Sequence, residues 1–212
     1  MRTLVLSTNN HKDILKAVSI LESGGLIATP TDTVYGLVAS MVNKYAVERI
    51  YSVKKRPKNK PLIVLVSSFK QFNDLVIGVN KNARVLTEKF WPGPLTLVVE
   101  KSSSVPDYVT CGDGSVGIRF PKNKIIKTII DNLRMPIVAP SANISGRPSS
   151  TSFEYVFKEM NGKIDAIFKV ENEEKRENFK TESTIVSLVG DTPKILREGA
   201  IPKNQIEDAL DF

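Results

Sequence analysis

Leu26-Ile27-Ala28-Thr29-Pro30-Thr31-Asp32-Thr33-Val34-Tyr35-Gly36-Leu37-Val38-Ala39-Ser40 decides how this chain folds. Residues 26–29 and 35–40 are apolar runs that read as β-strands, and the polar turn Pro30-Thr31-Asp32-Thr33 divides them. So short a gap rules out a right-handed crossover between them, which takes about a dozen residues or more. Outward from this pair, helical and strand patterns alternate. Residues 11–23 place Ile14, Leu15, Val18 and Leu21 on one helical stripe, ended by Gly24-Gly25. Residues 44–53 look helical, a basic loop runs from Lys54 to Lys60, and 62–66 is the continuous apolar run of a strand covered on both faces. A helix over 80–90 and the turn Pro92-Gly93-Pro94 precede strands at 95–100 and 116–120. Pro121 then starts a helix reaching about Leu133, with Ile125, Ile126, Ile129 and Ile130 as its apolar face. A buried strand at 137–139 leads into the polar loop 140–151. Beyond it come a helix near 152–159, strands near 166–170, 184–189 and 194–197, and a helix near 203–210. Several strand pairs are too close for crossovers. The expected class is therefore α/β of the mixed α+β kind, with one domain over residues 1–212 and a mixed sheet bearing helices on its faces. The charge run 171–178 reads as a solvated surface loop.

Composition narrows the chemistry. The chain has 212 residues, 41% hydrophobic and 25% charged, which suffices for a real core without staples. Cys111 is the sole cysteine, so an internal disulfide and a cysteine metal cage are excluded. His11 is the sole histidine, which argues against His-rich zinc sites and Ser–His relays. Lysine and arginine number 30 against 23 acidic residues, a net charge of +7 that implies an anionic partner: nucleic acid, nucleotide or acidic metabolite. No apolar run approaches the roughly 18 residues of a membrane helix, and the N-terminal run is too short for a signal peptide. A cytoplasmic location is expected.

Familiar nucleotide and nucleophile motifs fail on inspection. Gly112-Asp113-Gly114-Ser115-Val116-Gly117 spells a dinucleotide fingerprint, yet it runs into a strand where the mechanism needs a helix N-terminus. Neither a P-loop nor a G-x-S-x-G elbow occurs. The basic run Lys54-Lys55-Arg56-Pro57-Lys58-Asn59-Lys60 can be read as a nucleic-acid or localisation patch, a solvated loop or a polyphosphate clamp. Three more polar segments border apolar strands: 30–36, 140–149 and Glu182-Ser183-Thr184. Together they offer hydroxyls and fixed cations with few titratable bases. That inventory suits an enzyme that positions phosphates and carboxylates.

The ordered words of the sequence resemble the YrdC/TsaC family of threonylcarbamoyl-adenylate synthases. They are Thr29-Pro30-Thr31-Asp32-Thr33-Val34-Tyr35-Gly36-Leu37, Lys54-x-Arg56 with Pro57 and Pro61-Leu62, and Trp91-Pro92-Gly93-Pro94-Leu95-Thr96. Gly117-Ile118-Arg119-Phe120-Pro121, Ala139-Pro140-Ser141-Ala142-Asn143-Ile144-Ser145-Gly146, Glu182-Ser183-Thr184-Ile185 and Leu196-Arg197-Glu198-Gly199 complete the series, from about residue 15 to 201. The resemblance implies a three-layer fold with a twisted mixed sheet and a basic concave cleft. It implies that L-threonine, bicarbonate or CO2 and ATP, with Mg²⁺, give threonylcarbamoyl-AMP and pyrophosphate. A separate transferase would then modify adenosine 37 of tRNA.

Carried over by position, Thr33, Arg119 and Ser183 would hold threonine, with the Ala139 backbone at the same pocket and Arg119 forking the carboxylate. Lys54, Arg56, Lys60, Ser115, Ser141, Asn143, Ser149 and Arg197 would line the ATP site, with Lys54 and Arg56 neutralising the departing pyrophosphate. No metal ligand from a protein side chain is implied. Three positions depart from the pattern: Lys60 where Asn is frequent, Leu65 where some members carry His, and Ser187 where Asp is common. The chain ends at Phe212 without the extra C-terminal domain of longer relatives, from which a more open cleft is expected. Two other classes compete: a non-catalytic module binding double-stranded RNA or tRNA in the same cleft, and carbamoyl transfer for hydrogenase maturation. No RNA-recognition motif supports the first, and the second belongs to much larger chains with zinc motifs.

Overall fold

A computed structural model describes residues 2–170 and 181–210; the charge run at 171–178 lies outside the described residues. The strands are β1 (Leu4–Ser7), β2 (Ile27–Thr29), β3 (Gly36–Ser40), β4 (Ile63–Leu65), β5 (Leu95–Glu100), β6 (Ser115–Arg119), β7 (Ile137–Val138), β8 (Ala166–Lys169), β9 (Thr184–Ser187) and β10 (Lys194–Arg197). The helices are α1 (His11–Glu22), α2 (Lys44–Lys54), α3 (Phe69–Leu75), α4 (Lys81–Phe90), α5 (Asp107–Thr110), α6 (Lys124–Leu133), α7 (Phe153–Met160) and α8 (Lys203–Leu210).

Among the described residues, ten strands join one sheet in the order β1-β8-β2-β3-β7-β4-β6-β5-β9-β10. Four pairs are parallel (β1 with β8, β8 with β2, β4 with β6, β5 with β9) and the other five antiparallel, so the sheet is mixed as the short β2–β3 gap requires. Strand side chains alternate between two cores, as a period of two dictates. Ile27, Val38, Leu65, Ile137, Ala166 and Phe168 pack under the apolar stripes of α1 and α6. Ala28, Leu37, Val64, Val138, Ile167 and the β5 residues Leu95, Leu97 and Val99 face the opposite core, shared with α2, α3, α4, α5, α7 and α8. The result is a helix–sheet–helix sandwich. The α1/α6 layer covers β1, β8, β2, β3 and β7 and stops at β4. Beyond Leu65, the same face of β6 and β5 has no residue in this helical cluster, and the cleft lies there.

Some local expectations shift. Leu15 is 43% exposed and Ala17 takes its place in the α1 stripe, because at about 100° per residue positions 14, 17, 18 and 21 share an arc that 15 leaves. The helix expected to start at Pro121 starts at Lys124, where the Asn123 side chain accepts from the backbone N–H of Ile125 and Ile126 and caps the first turn. α3 and α5 escape a periodicity search because seven and four residues barely complete a turn or two. Lys54, expected to open a basic loop, is instead the last residue of α2 and 1% exposed.

Candidate active site

Tyr35 joins two of the polar segments. Its carbonyl accepts from Ala142 N (2.7 Å), its N–H donates to Ser150 O (2.9 Å), and its buried hydroxyl donates to Phe168 O (3.1 Å). Leu37 N donates to Pro140 O (2.7 Å), and Gly36 bridges to Ser141. The loop 30–35 and the loop 139–150 are thus laced side by side across β3 and β7.

Beneath the loops lies a cavity of about 170 Å³, floored by Ile63 and Leu65 of β4, Thr96 of β5 and Arg119 of β6. Register explains the floor: Leu65 pairs with Arg119 and Arg119 with Thr96, so the three side chains share a face. Thr31, Thr33, Ala139, Ser141, Ser183 and Arg197 close the walls, and Arg56 stands at the edge of the same space. The volume is below the roughly 300 Å³ of a drug-sized pocket and suits an amino acid.

Arg119 is the central cation, 6% exposed. Nε donates to Gly93 O (3.0 Å), Nη1 to Thr33 Oγ1 (2.8 Å) and Nη2 to Asp32 Oδ1 (2.5 Å). Asp32, equally buried, also accepts from Lys122 N (3.0 Å). Burial pulls the Arg119 guanidinium down from its ordinary range, Asp32 offsets this, and Arg197 adds to the downward push. Thr33 is itself held by a small turn, its N–H donating to Thr31 Oγ1 (3.0 Å). Across the cavity, Ser183 Oγ and Thr96 Oγ1 lie 2.8 Å apart. Arg197 donates from Nε and Nη2 to Ser183 O (3.0 and 2.8 Å) and from Nη1 to Glu182, whose other oxygen accepts from Ser149 Oγ.

Lys54 lies deeper than a loop clamp would. Its ammonium donates to Ser141 O, to Asn143 O (2.6 Å) and, at 3.4 Å, to Asn143 Oδ1, while its carbonyl accepts from Ser145 N (2.8 Å). It fastens the 141–145 loop to the end of α2. Burial lowers its pKa to about 8, with Arg56 pushing the same way and Glu182 opposing. Asn143 Nδ2 extends the bracing to Arg147 O (2.6 Å). Arg56, half-buried, donates to Lys60 O (3.1 Å) and Pro61 O (2.9 Å), which fixes the basic loop as a ring. Burial pulls its guanidinium downward as well, against Tyr51 and Cys111.

Of the residues the sequence singles out, Thr33, Arg56, Arg119, Ala139, Ser141, Ser183 and Arg197 line this one cavity. Lys54 and Asn143 are buried behind its wall, and Ser149 reaches it through Glu182. Lys60 and Ser115 are not among the lining residues; Lys60 is exposed, and Ser115 binds Asp113 Oδ1 through N and Oγ at 2.8 Å each. The Gly112–Gly117 stretch enters β6 at Ser115, so Gly112 and Gly114 precede the strand and Gly117 lies within it. Sequence reasoning passed over Asp32 and Glu182, although both lie inside quoted motifs; each neutralises an arginine distant in sequence. Among the described residues no group of three or more His, Cys, Asp or Glu could hold a metal ion, and no helix is long and apolar enough to cross a membrane.

The family model for Sua5, YciO and YrdC, which carries the description telomere recombination, matches residues 19–199. The chain is 41% identical over 194 residues to the threonylcarbamoyl-AMP synthase of Pyrococcus abyssi, covering 92% of this chain and 56% of that protein. To the threonylcarbamoyl-AMP synthase of Bacillus subtilis it is 39% identical over 206 residues, covering 97% and 58%. The chain therefore spans a little over half the length of these curated relatives. A crystal structure of P. abyssi Sua5 complexed with L-threonine superimposes with a TM-score of 0.91 at 38% identity, over 99% of this chain and 61% of the other. With a family model covering most of its length and relatives near 40% identity over more than nine-tenths of it, the chain belongs to the Sua5/YciO/YrdC family.

Proposed function

We propose that this chain is a threonylcarbamoyl-AMP synthase, an ATP-dependent nucleotidyltransferase that joins L-threonine, CO2 or bicarbonate and the AMP moiety of ATP. The observation that carries the reading is the Arg119 site: a buried guanidinium beside two sets of hydroxyls at an amino-acid-sized cavity. Such a fork recognises a carboxylate in two-point geometry. Thr33 and Ser183 flank it with the donors and acceptors a threonine needs, and Ile63, Leu65 and Ala139 offer an apolar wall to its methyl group. The relatives named above carry the same activity in their names, and one was crystallised with L-threonine.

The chemistry follows from that seat. The threonine amine attacks CO2, forming an N–C bond and giving up a proton to solvent. A carbamate oxygen then attacks the α-phosphorus of ATP in line, and the bond to the β-phosphate oxygen breaks to release pyrophosphate. A carbamate is already anionic, so this step needs no general base. Arg56 at the cavity edge and Ser141 over it face the space left for the triphosphate. Lys54 acts there by fixing the Ser141 and Asn143 carbonyls. Asp32 behind the cavity and Glu182 in its wall each pair with an arginine. Mg²⁺ would enter with ATP as the MgATP substrate, where it neutralises phosphate charge. The product would pass to a separate transferase acting on adenosine 37 of tRNA. The test is pyrophosphate release from MgATP: it should require both threonine and bicarbonate, and release independent of either would sink the proposal.

A further inference from the structure

The cavity has an unexpected occupant for a site that binds anions. Glu182 lines it beside Arg56, Arg119 and Arg197, the one acidic side chain among its lining residues. It is held in place, with one oxygen accepting from Ser149 Oγ and the other from Arg197 Nη1. A carboxylate has more acceptor sites than these two bonds use, and the side chain remains 34% exposed. Its field is felt across the cleft, since it opposes the downward shift of Lys54.

A fixed negative charge here repels both a substrate carboxylate and a triphosphate. Asp32 balances its arginine from behind, outside the lining, at no such cost to the ligands. Glu182 stands in front, where the ligand goes. The substrates bring two cations, the Mg²⁺ carried on the triphosphate and the ammonium of the amino acid; Glu182 lines the cavity sized for the amino acid, and a buried ammonium needs a partner. We propose that Glu182 is the counter-ion of that ammonium, a selectivity residue that admits zwitterions and disfavours simple carboxylates. The assignment rests on the synthase reading and deepens it. Arg197 and Ser149 are then positioning groups, which keep the carboxylate aimed while leaving acceptor capacity on each oxygen.

The test is a comparison of two ligands by calorimetric titration: L-threonine, and (R)-3-hydroxybutyrate, which keeps carboxylate and hydroxyl but lacks the ammonium. Glu182→Gln should weaken threonine binding about tenfold, the size of one partly exposed charge-assisted contact, and leave 3-hydroxybutyrate unchanged or bound more tightly. Glu182→Asp, which keeps the charge, should retain most of the wild-type preference and guards against a folding defect in the amide variant. Equal weakening of both ligands, or no change in either, would overturn the assignment and leave Glu182 a structural brace. A wild-type chain that binds no threonine would overturn the synthase reading and this assignment with it, whereas wild-type binding with an unaltered preference in Glu182→Gln defeats the assignment alone.

Discussion

Arg119 is fixed on three sides, by Gly93 O, Thr33 Oγ1 and Asp32, so its fork is set without rotamer search. Asp32 is the hidden half of that arrangement. In the sequence it stands in a Pro-Thr-Asp-Thr turn, where a carboxylate reads as capping chemistry, and nothing local links it to an arginine 87 positions away. Removing one partner of a buried ion pair costs about 3–5 kcal/mol, since the other charge is left uncompensated. Arg119→Leu should therefore lower unfolding free energy by about that amount in urea titration, and adding Asp32→Asn should restore part of the loss without restoring threonine binding. A double variant no more stable than the single one would refute the pairing. Lys54 was legible as a cation but not as a buried one, because its burial depends on the 141–145 loop folding over the end of α2. With a folded pKa near 8 and an ordinary value of 10.5, the unfolded chain holds the extra proton between these pH values, so stability from this group rises with pH there. The stability of wild type relative to Lys54→Met should be flat below about pH 7 and widen from about pH 8 toward 10.5; a gap that narrows over that window would contradict the assigned direction.

At the level of elements, patterning and punctuation did most of the work. The helices α1 and α6 showed their stripes, and the alternation of β2, β3, β7 and β8 between two cores follows from strand geometry. What patterning missed was the small closing element of the site. Gly199 follows β10, and a Cβ there would lie 2.3 Å from Glu182 O and 2.6 Å from Ser183 C, both backbone atoms that cannot step aside. The close approach lets Ala200 N donate to Glu182 O (2.9 Å) and Gly199 N to Thr184 Oγ1 (3.0 Å), which seats the start of β9 and with it Ser183 and Glu182. Gly199→Ala should destabilise by about 1–3 kcal/mol, the range for overpacking, and weaken threonine binding more than it weakens ATP binding. Thermal unfolding with parallel titrations checks both, and a variant indistinguishable from wild type would show that the approach is not needed.

For the molecule as a whole, the mixed sheet could be read from gaps too short for crossovers, while the neighbours β8 with β1 and β5 with β9 could not. Those pairings join segments far apart in sequence, and no local pattern encodes them. The face of β6 and β5 that lies beyond the helical layer follows from them, because α1 and α6 cover only part of the ten-stranded sheet of the described residues. The net charge of +7 also takes on a location in part: Arg56, Arg119 and Arg197 meet at one cavity, with Asp32 paired to Arg119 and Glu182 to Arg197. The most direct test of that account is mass spectrometry of the nucleotides formed from MgATP, L-threonine and ¹³C-bicarbonate. The account predicts an adenylate that carries threonine and one ¹³C atom in the same molecule. Formation of threonyl-AMP without the label, or of ADP and no labelled adenylate, would contradict it.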